Sequence, residues 1–122
     1  MKPVLLDANI LLAQAQFKVD IWRELERLGY APVLLSCVIG EVNKLAAGKS
    51  KHAAAARVAL NLIELKNPRM VSERGPVDKT LIRVAQKTGY AVATNDMELI
   101  GRLKKKGITI VRLKQRKYLA EE

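Results

Sequence analysis

The chain has 122 residues and a mass of 13.6 kDa, one domain by length, and its 49% hydrophobic content supports a real core and excludes a disordered tail. Its 22 Lys and Arg against 12 Asp and Glu leave a formal charge of +10, which points to a polyanionic partner, either nucleic acid or an anionic membrane surface. The single Cys37 excludes an intrachain disulfide and, with the one histidine His52, a Cys/His zinc site; no apolar run reaches membrane-span length, and Asp7 cuts the N-terminal apolar stretch too early for a signal peptide, so a soluble, basic, cytoplasmic chain is expected.

The apolar run 4–6 is too short for a helix and reads as a buried strand, and Asp7-Ala8-Asn9 caps a helix beginning near Ile10. Asp20 opens a second helix with Ile21, Leu25 and Leu28 on one face and Gly29 past its end. The run 32–35 shows no alternation, as in a parallel strand covered on both faces. Ser36 is placed to cap a helix striped by Val38, Val42 and Leu45 that stops at Gly48, and Ser50 to cap the longest helix, which ends at Asn67-Pro68. Met70-Val71 reads as a weak strand. Gly75-Pro76 starts a helix striped by Val77, Leu81, Val84 and Ala85, with Gly89 as its stop. A strand at 90–93, a helix at 96–106 and a strand at 108–111 follow. Strands alternate with helices throughout, so the expected fold is one α/β domain over residues 1–122, a mostly parallel sheet with helices on both faces.

With only 12 acids, each can be asked what it does. Asp20 and Glu98 suit helix starts; Glu24 pairs with Arg27, Glu26 with Arg23 and Glu98 with Arg102 at helical spacing. Glu64 and Glu73 read as solvated surface, and Glu121 and Glu122 end the chain. Asp7, Glu41, Asp78 and Asp96 are different, because each falls at a strand end or in the first turns of the following helix. In a parallel sheet those positions share the carboxyl edge, where open α/β sheets place their sites. Asp7 and Asp96 taken singly also read as N-caps, and Glu41 and Asp78 as surface residues. Gathered together in a basic protein, four carboxylates repel unless a hard divalent cation, Mg²⁺ or Mn²⁺, lies between them, and such ions drive phosphodiester hydrolysis.

The basic residues are as unevenly spread as the acids. Residues 101–122 carry eight Lys and Arg against two acids, +6 of the +10. Lys104, Lys105 and Lys106 suit a helix end, whereas Arg112, Lys114, Arg116 and Lys117 lie beyond the last expected strand, a basic C-terminal tail (112–122) that holds nucleic-acid phosphates without reading sequence. No strongly apolar face accompanies them, which disfavours a membrane. Aromatics are 4%, too few for a stacking platform, with Tyr118 alone inside the basic tail. His52 reads as an exposed helix residue and Cys37 as a small buried apolar one; Trp22 either covers the core or serves a homodimer.

The run Val4-Leu5-Leu6-Asp7-Ala8-Asn9-Ile10-Leu11-Leu12, then Glu41, then Pro76-Val77-Asp78, then Val92-Ala93-Thr94-Asn95-Asp96 resembles the PIN-domain nucleases, in order and across the whole chain. The segments after Glu98, through Arg102-Leu103-Lys104 to the 107–115 run, resemble archaeal PIN proteins, a group that includes VapC-type toxins and is related to the PIN endonucleases of the ribosomal small-subunit processome. The resemblance implies a three-layer α/β/α fold with a five-stranded parallel sheet in the order 3-2-1-4-5. It also implies a Mg²⁺- or Mn²⁺-dependent endoribonuclease leaving a 5′-phosphate and a 3′-hydroxyl, with RNA as partner and, for a toxin, an antitoxin protein. On this pattern Asp7, Glu41, Asp78 and Asp96 are the metal-binding catalytic acids, Asn9 supports Asp7, and Thr94 and Asn95 orient substrate or the water at the metal. The pattern departs at Lys79, where many relatives place a second Asp. A non-catalytic RNA-binding subunit of the same fold is the competing reading.

Overall fold

Six strands and six helices follow one another in the computed structural model, which describes residues 1–122. They are β1 (Lys2–Leu6), α1 (Ala8–Phe17), α2 (Ile21–Arg27), β2 (Tyr30–Leu35), α3 (Ser36–Ala47), α4 (Ala53–Lys66), β3 (Arg69–Val71), α5 (Val77–Thr88), β4 (Ala91–Ala93), α6 (Met97–Lys105), β5 (Ile110–Lys114) and β6 (Tyr118–Glu121). The architecture is a three-layer α/β/α sandwich around a sheet in the order β3-β2-β1-β4-β5-β6. Val4, Leu5 and Leu6 are fully buried, which is why the opening run carries no polar residue: β1 is the central strand, covered on both faces and paired in parallel on both sides. In register, Leu5 stands between Val33 of β2 and Val92 of β4. The chain builds outward from β1 to β2 and β3, then crosses to β4 and β5 on the other side. The direction therefore reverses between β1 and β4, and a crevice opens beyond their carboxyl ends. No helix is long and apolar enough to cross a membrane.

The five parallel strands stand in the expected order, and a sixth, antiparallel strand extends them. Residues 112–117 are not a tail beyond the last strand. β5 runs to Lys114 with Val111 and Leu113 buried between the more exposed Arg112 and Lys114, the period of a strand with one covered face. The turn back into β6 uses two successive left-handed residues, Gln115 (φ 54°) and Arg116 (φ 55°), closed by the Lys117 N–H to the Lys114 carbonyl at 3.0 Å. Neither is the glycine or asparagine that advertises such a turn. β6 buries Leu119 completely and is held from outside β5: Glu24 accepts the Leu119 N–H and Arg27 donates to its carbonyl, at 3.0 and 2.9 Å. Those two bonds occupy the outward-facing backbone groups of Leu119, which an edge strand otherwise leaves open. Glu121 meets the Tyr30 hydroxyl and Lys2, and Glu122 binds Lys104, Arg112 and Lys114, so the last two acids are ion-pair partners.

Other local assignments differ in instructive ways. Ser36 does not cap α3; its hydroxyl donates to the Glu73 carbonyl and accepts the Glu73 N–H, at 2.8 and 2.9 Å, clamping the loop after β3. Glu73 is no solvated bystander, since its carboxylate takes Arg83 at 2.7 Å. α4 starts later than Ser50, with His52 at its N-cap and the Ser50 hydroxyl accepting the His52 N–H. The Glu24–Arg27 pair forms at 3.0 Å, while Glu26–Arg23 and Glu98–Arg102 do not. Trp22 joins the core, and Cys37 is half-buried against it. Because Leu119 belongs to that core, Leu119→Ala is expected to lower stability by about 2–5 kcal/mol in urea denaturation. A loss well under 1 kcal/mol would mean that the last strand is only loosely attached.

Candidate active site

Asp7 leaves the end of β1 and starts α1. Its Oδ1 accepts the Ala8 N–H at 2.8 Å and caps the helix, while Oδ2 accepts from Thr94 Oγ1 at 2.7 Å and from Asn9 Nδ2 at 3.0 Å. Thr94, just past β4 and fully buried, also accepts the Asp96 N–H at 3.1 Å and a longer contact from Asn9 at 3.3 Å. Asn9 Oδ1 accepts the Asn95 N–H at 3.0 Å. One network thus ties the carboxyl ends of β1 and β4 together across the crevice. Asn95 is engaged elsewhere: its amide accepts the Leu113 N–H at 2.7 Å and donates to the Leu113 carbonyl at 3.1 Å. It extends the ladder toward β5, and both ends of its side chain are taken up there.

Asp96 caps α6, its Oδ1 accepting the Glu98 and Leu99 N–H groups at 3.0 and 3.3 Å while Oδ2 keeps no partner. Glu41 lies in the second turn of α3 and Asp78 in the first turn of α5, and neither carboxylate meets a hydrogen-bond donor. All four acids line one cleft of about 300 Å³. Capping a helix and lining the cleft are therefore not alternatives for Asp7 and Asp96; each does both.

Burial raises the Asp7 carboxyl above its ordinary range, the Thr94 and Ala8 bonds pull it down, and the charges of Asp78 and Asp96 add to the rise. Glu41 is raised by burial, then by Asp7 and Asp78; Asp78 by burial, then by Asp96 and Glu98 against the opposing pull of Arg102. Arg102 acts on Asp78 alone among these three, and no cation opposes the rise at Asp7 or Glu41. In a protein of charge +10, the carboxylates of the cleft thus face one another with little positive charge among them. No three stand close enough to form a closed ligand set as they are. The donors are nonetheless all hard oxygens, and a small divalent ion that keeps several waters and takes one or two carboxylates fits such an open arrangement.

The far wall of the cleft comes from residues that sequence reasoning passed over. Leu12 and Gln16 of α1, Leu45 of α3 and His52 at the start of α4 line it, and Gln16 Nε2 lies 3.1 Å from His52 Nδ1. His52 is half-buried there and is not a free helix residue. Only the packing of α1 on α4 brings it near Asp7, and nothing local in the sequence signals that contact. Of the expected RNA-binding set, Arg112 and Lys114 share Glu122 at 3.5 and 3.1 Å, and Arg116 lies over the Phe17 ring at 5.1 Å.

Comparison with known proteins bears on the family and the fold. The family described as PIN like domain matches residues 4–116. Ribonuclease VapC9 of Archaeoglobus fulgidus is 32% identical over 118 residues, covering 95% of this chain and 86% of its own length. Among solved structures, the PIN domain endonuclease Utp24 superposes with a TM-score of 0.83 at 23% identity, over 98% of this chain and 90% of that one. A domain of a functionally unknown protein from Methanocaldococcus jannaschii does so at 0.66 and 17% identity, over 100% and 95%. The two superpositions speak for the fold; the family match and the ribonuclease relative go further, and by them the chain belongs to the PIN-domain family.

Proposed function

We propose that this chain is an endoribonuclease that hydrolyses RNA phosphodiester bonds with Mg²⁺ or Mn²⁺ bound in the cleft of Asp7, Glu41, Asp78 and Asp96, through one or two of these carboxylates directly and the others through water. The observation that carries the reading is the convergence of these four carboxylates on one cleft at the sheet switch point. Kinship with a protein named as a ribonuclease supports RNA as the substrate. A bound divalent ion supplies Lewis acidity, activating a water and neutralising charge on the phosphate in flight. The chain's own residues supply the positioning. Thr94 and Asn9 hold Asp7 in one orientation, and the α6 backbone holds Asp96. Glu41 and Asp78, unbonded, are free to turn toward cation or substrate. Arg116 and Lys117 on the β5–β6 turn join no ion pair and are the members of the basic set that we assign to RNA phosphates. In a toxin setting the second partner is an antitoxin.

Cleavage of a defined RNA should appear with Mn²⁺ or Mg²⁺, vanish with EDTA, and be abolished by Asp7→Asn with the fold retained. Cleavage by the Asn variant equal to the parent's would place the activity outside this cleft. The raised carboxyls make a second prediction. A group whose folded pKa lies above its unfolded value contributes stability below the ordinary carboxylate range, about pH 4, and that contribution is lost as pH rises through the raised value. Without metal, Glu41→Gln should therefore melt higher than the parent at neutral pH and nearly level with it near pH 4. Adding Mn²⁺ should raise the parent's melting temperature and narrow the gap. A Gln variant that melts lower than the parent at neutral pH would contradict the charge-repulsion account.

A further inference from the structure

A second groove, of about 470 Å³, adjoins the acidic cleft and shares Glu41 with it. One wall is a single face of α3, on which Ser36, Cys37, Gly40, Glu41 and Lys44 follow at helical spacing. The other wall is the 73–77 loop with Arg74. This loop is held firmly: Ser36 and Glu73 exchange two hydrogen bonds, Arg83 grips the Glu73 carboxylate, and Thr80 Oγ1 donates to the Pro76 carbonyl at 2.7 Å. The groove is thus a built feature that leads to the carboxylates.

Its charge and its floor both suit a polyanion. Lys44 and Arg74 take part in none of the structure's ion pairs, in contrast to Arg112, Lys114 and Lys104, which share Glu122. The starts of α3 and α5 also border the groove and present the positive ends of their dipoles. Gly40 is the telling residue. It sits inside α3, where glycine is among the poorest helix formers, yet a Cβ built there would meet nothing within 4 Å. Core packing does not require glycine at that position, and its missing side chain leaves the groove wider there.

We propose that this groove is the track by which a single RNA strand reaches the carboxylates, with Lys44 and Arg74 holding phosphates beside the one that is cut. The proposal rests on the ribonuclease reading above and adds the path of its substrate. Binding of a short fluorescent single-stranded oligoribonucleotide, followed by anisotropy in EDTA across a salt series, tests it. Lys44→Ala/Arg74→Ala should weaken binding and lower the salt slope by about 1.4, two phosphates at about 0.7 each. Lys66→Ala/Lys87→Ala removes the same charge from the last turns of α4 and α5, at the amino edge of the sheet, and should leave the slope near the parent's. Gly40→Leu should block binding and cleavage while melting no lower than the parent. If the groove variants bind and cleave like the parent, or if both double variants lower the slope equally, the track is overturned and the nuclease reading stands. If the parent binds RNA through the groove but cuts none with Mn²⁺, the nuclease reading fails and the groove stands as an RNA site. A parent that neither binds nor cuts RNA overturns both.

Discussion

A carboxylate only 5% exposed, at the end of the central strand, is the constraint around which the rest of this protein is arranged. Burying Asp7 is costly unless its oxygens are bonded, and its own strand has no donor to offer. The donors come from two places: the first turn of α1, through the Ala8 N–H and the Asn9 amide, and Thr94 just past β4. Holding one acid therefore fixes the spacing of β1 and β4, the start of α1 and, through the Asp96 N–H on Thr94, the start of α6. The switch point is thus a locked joint that carries charge.

The second organising feature is the separation of charge by sign. The basic excess would simply compensate the acids if the two were mixed, but the cleft acids keep little positive company while cations crowd elsewhere. Glu122, just past β6, gathers three of them, Lys104 of α6 with Arg112 and Lys114 of β5, and they tie down the last strand. Those left unpaired beside the cleft, Lys44 and Arg74, border the groove that meets it at Glu41. On the proposed reading, the acidic centre takes the cation and the basic walls take the phosphates, which brings metal and polyanion together.

Much of this was legible before any coordinates. The β1 run ending in Asp7, the caps Asp20 and Asp96, and the parallel alternation follow from local chemistry, and β1, α1, α2, α5 and α6 stand where it put them. The position of the four acids relative to strand ends marks them out, and they do line one cleft. The misses have physical causes. The β5–β6 hairpin hid because Gln115 and Arg116 adopt left-handed backbone that their side chains do not announce, and because the alternation Val111-Arg112-Leu113-Lys114 was outweighed by its charge. Ser36 looked like a cap since serine before an apolar stripe usually is one; a partner 37 residues away claimed it instead. His52 and Gln16 reach the cleft through helix packing alone, which no local pattern encodes. Asn95 is spent on strand geometry because its backbone lies one residue from the β5 ladder.

The central claim is that these carboxylates are one divalent-cation centre. Anomalous scattering from a crystal of the protein soaked in Mn²⁺ tests it most directly. A peak about 2.1 Å from an oxygen of Asp7 and from at least one of Glu41, Asp78 and Asp96, lost in the Asp7→Asn protein, is the predicted result. A map with no peak in the cleft, or with manganese bound only elsewhere on the surface, would contradict it.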